Sequence, residues 1–216
     1  MSVAPTPEPD PEALRNNISN FLAANGFTEI MNNSLTKKDY YAQLSTYPAA
    51  ACVELVNPLS QDLNVMRQTL LLSGLEVIAY NINRQVSSLK TFEYGSVYQR
   101  LPEKDGTTLE GYEEHQAFAL FLTGTPDKVW RNPAGKSSFF ALKGYVELLM
   151  KRYRIDLSSF TTAPAPVDIF SEGVVWSLPG KDPKVLCTLG TVNPALARRF
   201  GIKQPVFAAE IDWPGL

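Results

Sequence analysis

The chain has one histidine, His115, and two cysteines, Cys52 and Cys187, in 216 residues. A single histidine cannot supply a histidine metal cluster, and any Ser-His-Asp arrangement would have to run through His115. The cysteines lie far apart, neither belongs to a Cys-x-x-Cys pair, and both sit in apolar runs that read as strands. They are expected as buried free thiols in a reducing compartment. Charge is also scarce, with 19% charged residues against about 25% in ordinary domains. The formal charge is −2, so a strongly basic nucleic-acid domain is not expected. The shortage of charge leans toward a chain that hides part of its surface against a partner. No run approaches the roughly 18 to 20 apolar residues that span a bilayer, and the longest, Ala117 to Leu122, reads as a strand. The N-terminus has neither a basic region nor an apolar core, so it is not a signal peptide. The expectation is a soluble, cytoplasmic protein with no membrane partner.

What is present is enough hydrophobic residue, 44%, for a real core; a chain of this length buries roughly 70% of its unfolded surface. Pro5, Pro7, Pro9 and Pro11 mark an extended linker over residues 1–10, leaving one module over residues 11–216. Asp10 followed by Pro11 reads as an N-cap with proline at the first helical position, and Gly26 as the stop. Between them Leu14, Ile18, Phe21 and Leu22 recur at helical spacing. Phe27 to Leu35 reads as a strand, Lys37 to Leu44 as a short helix and Cys52 to Val56 as a second strand. A long helix is expected from Thr69 to Arg84, with one broad apolar face. Strands follow at Leu89 to Gln99 and Glu114 to Thr123, then a helix from Phe139 to Arg154. The last third holds strands near Val174 to Leu178, Lys184 to Val192 and Val206 to Asp212, with a short helix at Pro194 to Phe200. Strands outnumber helices and run in hairpin-like succession, so the class is α+β, a mainly antiparallel sheet flanked by helices. No internal repeat is found at a period of about 20 to 50 residues.

Gly135-Lys136-Ser137 looks like the end of a phosphate-binding loop, but that pattern needs a glycine where Trp130 stands, so a plain loop is the reading. Glu113 and Glu114 precede His115; strand neighbours point to opposite faces, so at most one carboxylate shares the histidine's side. A solvated strand entrance is expected there. Lys151-Arg152 and Arg198-Arg199 read as solvated helix ends, with nucleic-acid contact as the alternative. Arg67 precedes the second long helix, Arg84 closes it, and Glu93 lies on the next strand. Together they are expected to form a buried or half-buried charge network, because an unpaired charge there costs several kcal/mol.

The run Asn57-Pro58-Leu59-Ser60, then Met66-Arg67, then Asn81-Ile82-Asn83-Arg84, then Phe92-Glu93-Tyr94-Gly95-Ser96-Val97-Tyr98 resembles the β subunit of phenylalanyl-tRNA synthetase. More narrowly it resembles the central module that copies the class II synthetase catalytic fold. The likeness continues in Phe139-Phe140-Ala141-Leu142-Lys143-Gly144, in Gly190-Thr191-Val192-Asn193-Pro194 and in Phe207-Ala208-Ala209-Glu210-Ile211, covering nearly everything from Pro11 onward. Phe170-Ser171-Glu172-Gly173 departs from the family's His-Pro-Gly, and Ser138 stands where the family has Asp.

The resemblance implies a class II synthetase-like core without catalytic residues. In the family's catalytic α subunit the second motif runs Pro-Gly-Arg-Val-Tyr-Arg; here Ser96 and Gln99 replace both arginines, and no glycine-rich third motif ending in arginine occurs. Such cations stabilise the charge that develops on phosphate. The expectation is therefore a scaffold for the catalytic α subunit in an α₂β₂ phenylalanine–tRNA ligase, with a second αβ pair and with tRNA bound by the complete enzyme. ATP and Mg²⁺ serve the whole enzyme; this module is expected to hold no cofactor or metal, the family's magnesium carboxylates lying upstream. Subunit contact is expected on the first helix and the strand after it, through Leu14, Ile18, Phe21, Leu22 and Phe27. The remaining motif residues, Asn57, Pro58, Met66, Arg67, Asn81, Asn83, Arg84, Phe92, Glu93, Gly95, Lys143, Gly144, Gly190 and Pro194, are expected to be structural. Two rivals stay open: an active ligase with unusual motifs, and a module that binds an amino acid or a nucleotide on the same fold.

Overall fold

The computed structural model describes residues 10–58, 60–104, 108–125, 135–181 and 183–213. The proline-rich segment up to Pro9, and Trp130, lie outside the described residues. Helix α1 (Pro11–Ala24) begins where Asp10 accepts the Glu12 N–H at 3.0 Å, and Gly26 follows its end at φ +80°. Strands β1 (Thr28–Glu29), β2 (Leu35–Thr36) and β3 (Val65–Met66) are two residues each. Helix α2 (Leu71–Ile82) leads to the long hairpin of β4 (Leu89–Arg100) and β5 (Tyr112–Thr123). Helix α3 (Phe139–Arg152) is capped by Ser138, whose hydroxyl accepts the Ala141 N–H at 3.1 Å. Then come β6 (Thr161–Pro164), β7 (Phe170–Leu178), β8 (Lys184–Val192), α4 (Pro194–Arg199) and β9 (Val206–Asp212).

The seven-stranded sheet runs β1-β4-β5-β9-β8-β7-β6, and β2 pairs with β3 in a separate two-stranded ribbon. Every neighbouring pair is antiparallel except β1 with β4, which is parallel. The expected class, α+β with a mainly antiparallel sheet flanked by helices, is the one observed.

Each face of the sheet carries its own core. On one, Ile18 and Leu22 of α1 and Leu142, Val146, Leu149 and Met150 of α3 cover Phe92, Phe118, Leu120, Leu122, Ala209 and Ile211. On the other, α2 and α4 cover Val97, Ala117, Ala119, Phe121 and Ala208. Gly74 is what lets α2 lie so close: a Cβ there would stand 2.1 Å from the Phe121 ring.

Several expected boundaries move. Phe27 to Leu35 is not one strand: after the Ile30 N–H bonds Phe92 O at 2.8 Å, Asn32 turns off the sheet to donate to Glu93. Cys52 to Val56 is not a strand either; a 3₁₀ turn over Ala49–Ala51 precedes it, and Glu54 forms only an isolated bridge to Val65. Strands β3 and β6 were not expected. Helix α3 stops two residues early because Arg154 sits at φ 61°. Cys52 and Cys187 are free and buried, although only Cys187 is on a strand.

Candidate functional site

Strand register builds a polar row across the face under α2. Glu93 of β4 stands opposite Ala119 of β5, which stands opposite Glu210 of β9, which stands opposite Thr188 of β8. Directly opposed residues share a face, so two carboxylates lie there two strands apart, about 10 Å on the sheet spacing.

Arg67 divides them. Its main chain is pinned from both sides, its N–H donating to Ser34 O at 2.9 Å and its C=O accepting the Tyr98 N–H at 2.8 Å. Its Nη1 donates to Glu93 Oε1 at 2.8 Å and its Nε to Ser96 O at 3.0 Å. The Glu93 side chain is wholly buried. It also accepts the Asn32 N–H at 3.0 Å on Oε1 and the Asn32 Nδ2 at 2.7 Å on Oε2. These extra donors matter because a buried pair offsets its desolvation only when its remaining lone pairs are occupied. Gly95 makes room for the guanidinium: a Cβ there would lie 2.1 Å from Arg67 Nη2.

Arg84 takes no part in this network, contrary to expectation. It is exposed at the far end of α2, stacked over the Tyr80 ring at 3.4 Å. The twelve residues of α2 put about 18 Å between the two ends of the helix.

Beside this network a cleft of about 320 Å³ opens between the Tyr47 loop and strands β4, β5, β8 and β9. Val97, Ala117 and Val185 give it apolar walls, the Leu186 and Ile211 side chains being buried in the core on the other face, and Tyr47, Gln116, Thr188, Glu210 and the Lys184–Asp212 pair give it polar ones. Most of these groups are already occupied. Lys184 Nζ meets Asp212 at 2.7 Å, and Gln116 Nε2 donates to Ser96 Oγ at 2.6 Å. His115 Nε2 meets Glu113 at 2.9 Å in the open, while Glu114 falls on the opposite face, as strand alternation requires.

Glu210 accepts the Thr69 hydroxyl at 2.6 Å and the Leu70 N–H at 2.9 Å. Burial raises its carboxyl above the ordinary range, although the Thr69 hydroxyl, the Leu70 N–H and the Arg67 charge pull the other way. Burial likewise pushes the Tyr47 phenol well up. The loop bearing Tyr47 is tied down by Asp168, which accepts from the N–H and hydroxyl of both Ser45 and Thr46 at 2.6 to 3.1 Å. Partial burial works to raise Asp168, but the Thr46 and Ser45 donors together hold it below its usual value.

The first-helix residues expected at a subunit contact divide. Ile18, Leu22 and Phe27 are buried in the chain's own core, while Leu14 and Phe21 are half-buried at its edge. Among the motif residues, Asn57 and Pro58 form an exposed turn and Met66 is half-buried in β3. Asn81 Nδ2 donates to Val77 O at 2.8 Å, Asn83 follows α2 in the open, and Phe92 is core. Lys143 pairs with Glu147 and lies 5.7 Å from the Trp176 ring, whereas Gly144 faces open space. Gly190 lets β7 approach, since a Cβ there would meet Glu172 O at 2.5 Å; Pro194 opens α4. Sequence reasoning missed Asn32, Tyr47 and Asp168 and gave Glu210 no role. The one available signal was Glu210's own, a lone carboxylate in an apolar strand, the feature that marked Glu93.

Among the described residues no group of three or more His, Cys, Asp or Glu side chains comes together to hold a metal ion. Nor is any helix of the described residues long and apolar enough to cross a membrane. The lone cation lining the cleft, Lys184, is paired, and Arg67 is committed to Glu93.

A seven-stranded, mainly antiparallel sheet with this arginine–glutamate lock defines an α+β module in which polar groups cross one sheet face. Residues 1–213 match the family described as the phenylalanyl tRNA synthetase beta chain CLM domain, and the chain belongs to that family. It is 39% identical over 202 residues to the phenylalanine–tRNA ligase beta subunit of Porphyromonas gingivalis, covering 92% of this chain and 24% of the relative. The corresponding subunit of Bacteroides thetaiotaomicron is 40% identical over 209 residues, 94% of this chain and 25% of the relative. That of Salinibacter ruber is 31% identical over 225 residues, 98% and 26%. The chain thus spans about a quarter of the length of the curated relatives it matches.

Proposed function

We propose that this chain is a non-catalytic core module of a phenylalanine–tRNA ligase β subunit. In this reading it is a degenerate copy of the class II synthetase fold that scaffolds the catalytic α subunit of an α₂β₂ enzyme attaching phenylalanine to its tRNA. The observation that carries the reading is the charge inventory of the cleft. Activating an amino acid with ATP requires free cations where charge builds on the α-phosphate. Here two carboxylates, Glu210 and Asp212, face one lysine that is already paired. The two positions where the resemblance expects arginine are spent on neighbouring side chains: Ser96 accepts from Gln116, and Gln99 donates to Glu113 at 2.7 Å. Such a lining does not fit a triphosphate. ATP and Mg²⁺ are assigned to the whole enzyme and tRNA to the complete assembly.

The α-subunit contact is assigned to α1 and β1, supported by α2. Because Ile18, Leu22 and Phe27 serve the chain's own core, the contact falls on Leu14, Phe21 and the polar outer side of α1. The test is reconstitution with the cognate α subunit. Complex mass is read by light scattering, and phenylalanine-dependent ATP–pyrophosphate exchange is assayed in the complex and in each chain alone. A defined complex with exchange, and none from this chain alone, is the expected result; exchange by this chain alone would overturn the proposal.

A further inference from the structure

We propose that the cleft beside Glu210 binds a small organic cation: a primary ammonium carried on an apolar body and lacking a carboxylate. The argument goes beyond the scaffold reading and does not depend on it. The Glu210 carboxylate accepts from Thr69 Oγ1 and the Leu70 N–H on Oε2, the Leu71 N–H and the Arg67 charge also acting on it. Among the described residues no hydrogen bond falls on Oε1, which is the acceptor turned to the cleft. Glu210 is fixed at that spot by its place in β9 and by the start of α2, so the acceptor is oriented before any ligand arrives. The cleft, at about 320 Å³, lies within the roughly 300 to 1,000 Å³ of ordinary small-ligand sites.

Its composition selects the ligand's chemistry. Val97, Ala117 and the partly exposed Val185 offer apolar surface for a hydrocarbon body, and the Tyr47 ring lines the same space. The titratable lining is Lys184, Asp212, Glu210, the Tyr47 phenol and His115. Lys184 and Asp212 neutralise each other at 2.7 Å, His115 meets Glu113 at 2.9 Å, and Glu210 is left as the carboxylate without an ion-pair partner among the described residues. A cation gains a charge-assisted hydrogen bond there. A carboxylate-bearing ligand meets no free cation among the described lining residues and must stand near Glu210 and Asp212. An amine is therefore preferred to the matching amino acid, and both to the matching acid.

The test is a titration of the ¹⁵N-labelled chain with 2-phenylethylamine, L-phenylalanine and 3-phenylpropionate, following amide resonances by NMR. The amine is expected to give saturable shifts at Gln116, Thr188, Glu210 and Ile211, with the amino acid and the acid weaker by about tenfold or more. Glu210→Gln keeps an acceptor for Thr69 and Leu70 but is expected to abolish saturation by the amine. Because that variant changes a buried group, Val185→Lys and Val185→Asp provide a second reading from a rim position that is 48% exposed. The added cation should weaken the amine and the added carboxylate strengthen it, with the spectrum elsewhere unchanged. No saturable shift with the amine, equal binding of the amine and L-phenylalanine, or amine binding indifferent to the Val185 charge would each overturn the proposal.

Discussion

Breaking the Arg67–Glu93 lock is the sharpest perturbation available. Glu93→Gln keeps the size of the side chain and an acceptor for Asn32, but it leaves the guanidinium of Arg67 uncompensated among groups with almost no contact with water. Removing one partner of a buried pair costs about 3 to 5 kcal/mol, a large share of the roughly 5 to 15 kcal/mol that holds a domain together. For a chain of this size each kcal/mol moves Tm by about 2 to 4 °C, so a fall of about 6 to 20 °C is expected. Arg67→Met should cost a comparable amount, because it strands Glu93. The double variant Arg67→Met, Glu93→Leu should cost far less than the sum, since apolar replacement of both partners is near neutral. Gly95→Ala adds an independent reading. Its Cβ would lie 2.1 Å from Arg67 Nη2 and push the guanidinium off Glu93, so its cost should shrink in the Arg67→Met background. Urea denaturation of the native chain, these five variants and the single Glu93→Leu variant that the additivity test requires, monitored by circular dichroism, measures all of this. Single-variant losses under about 1 kcal/mol, or strict additivity in the double variant, would refute the reasoning.

Three further outcomes are expected. Burial raises the Glu210 carboxyl in the fold, so its contribution to stability is full below the unfolded value of about 4.3 and is lost as pH rises through the raised one. The stability difference between the native chain and Glu210→Gln should therefore fall with rising pH across that window, and urea midpoints that move the other way would contradict it. Gly74→Val should cost about 1 to 3 kcal/mol by driving α2 off Phe121, with partial recovery on adding Phe121→Leu; an unchanged denaturation midpoint would exclude that close approach. Asp168→Ala should leave global stability nearly intact but speed hydrogen exchange at Ser45 and Thr46, whose amides donate to it at 2.8 Å. Unchanged exchange there would show that something else holds the Tyr47 loop.

Where the signal is local, the sequence determined the structure closely. Asp10 and Pro11 set the start of α1, and β8 and β9 begin and end at the expected residues, Lys184 to Val192 and Val206 to Asp212. Caps, proline geometry and apolar periodicity act within one turn or one pleat, so they can be read along the chain. Two of the failures are places where a distant group competes. Residues 27–35 form no single strand because the Glu93 carboxylate, some sixty positions later, takes the donors of Asn32. Arg67 and Arg84 look equivalent beside one helix, but only Arg67 stands at the end of α2 that meets Glu93.

The cleft is the extreme case. Tyr47, Gln116, Thr188 and Glu210 come from four separated segments, and nothing in their spacing announces a common site. Strand register places Thr188 opposite Glu210, and a clamp from Asp168 brings the Tyr47 loop over them. Composition and local pattern thus sufficed for the class, most helices and the need for a partner to Glu93. Which arginine answers it, which carboxylate keeps a free oxygen and where a cavity opens depend on long-range pairing, which exists only once the sheet has closed.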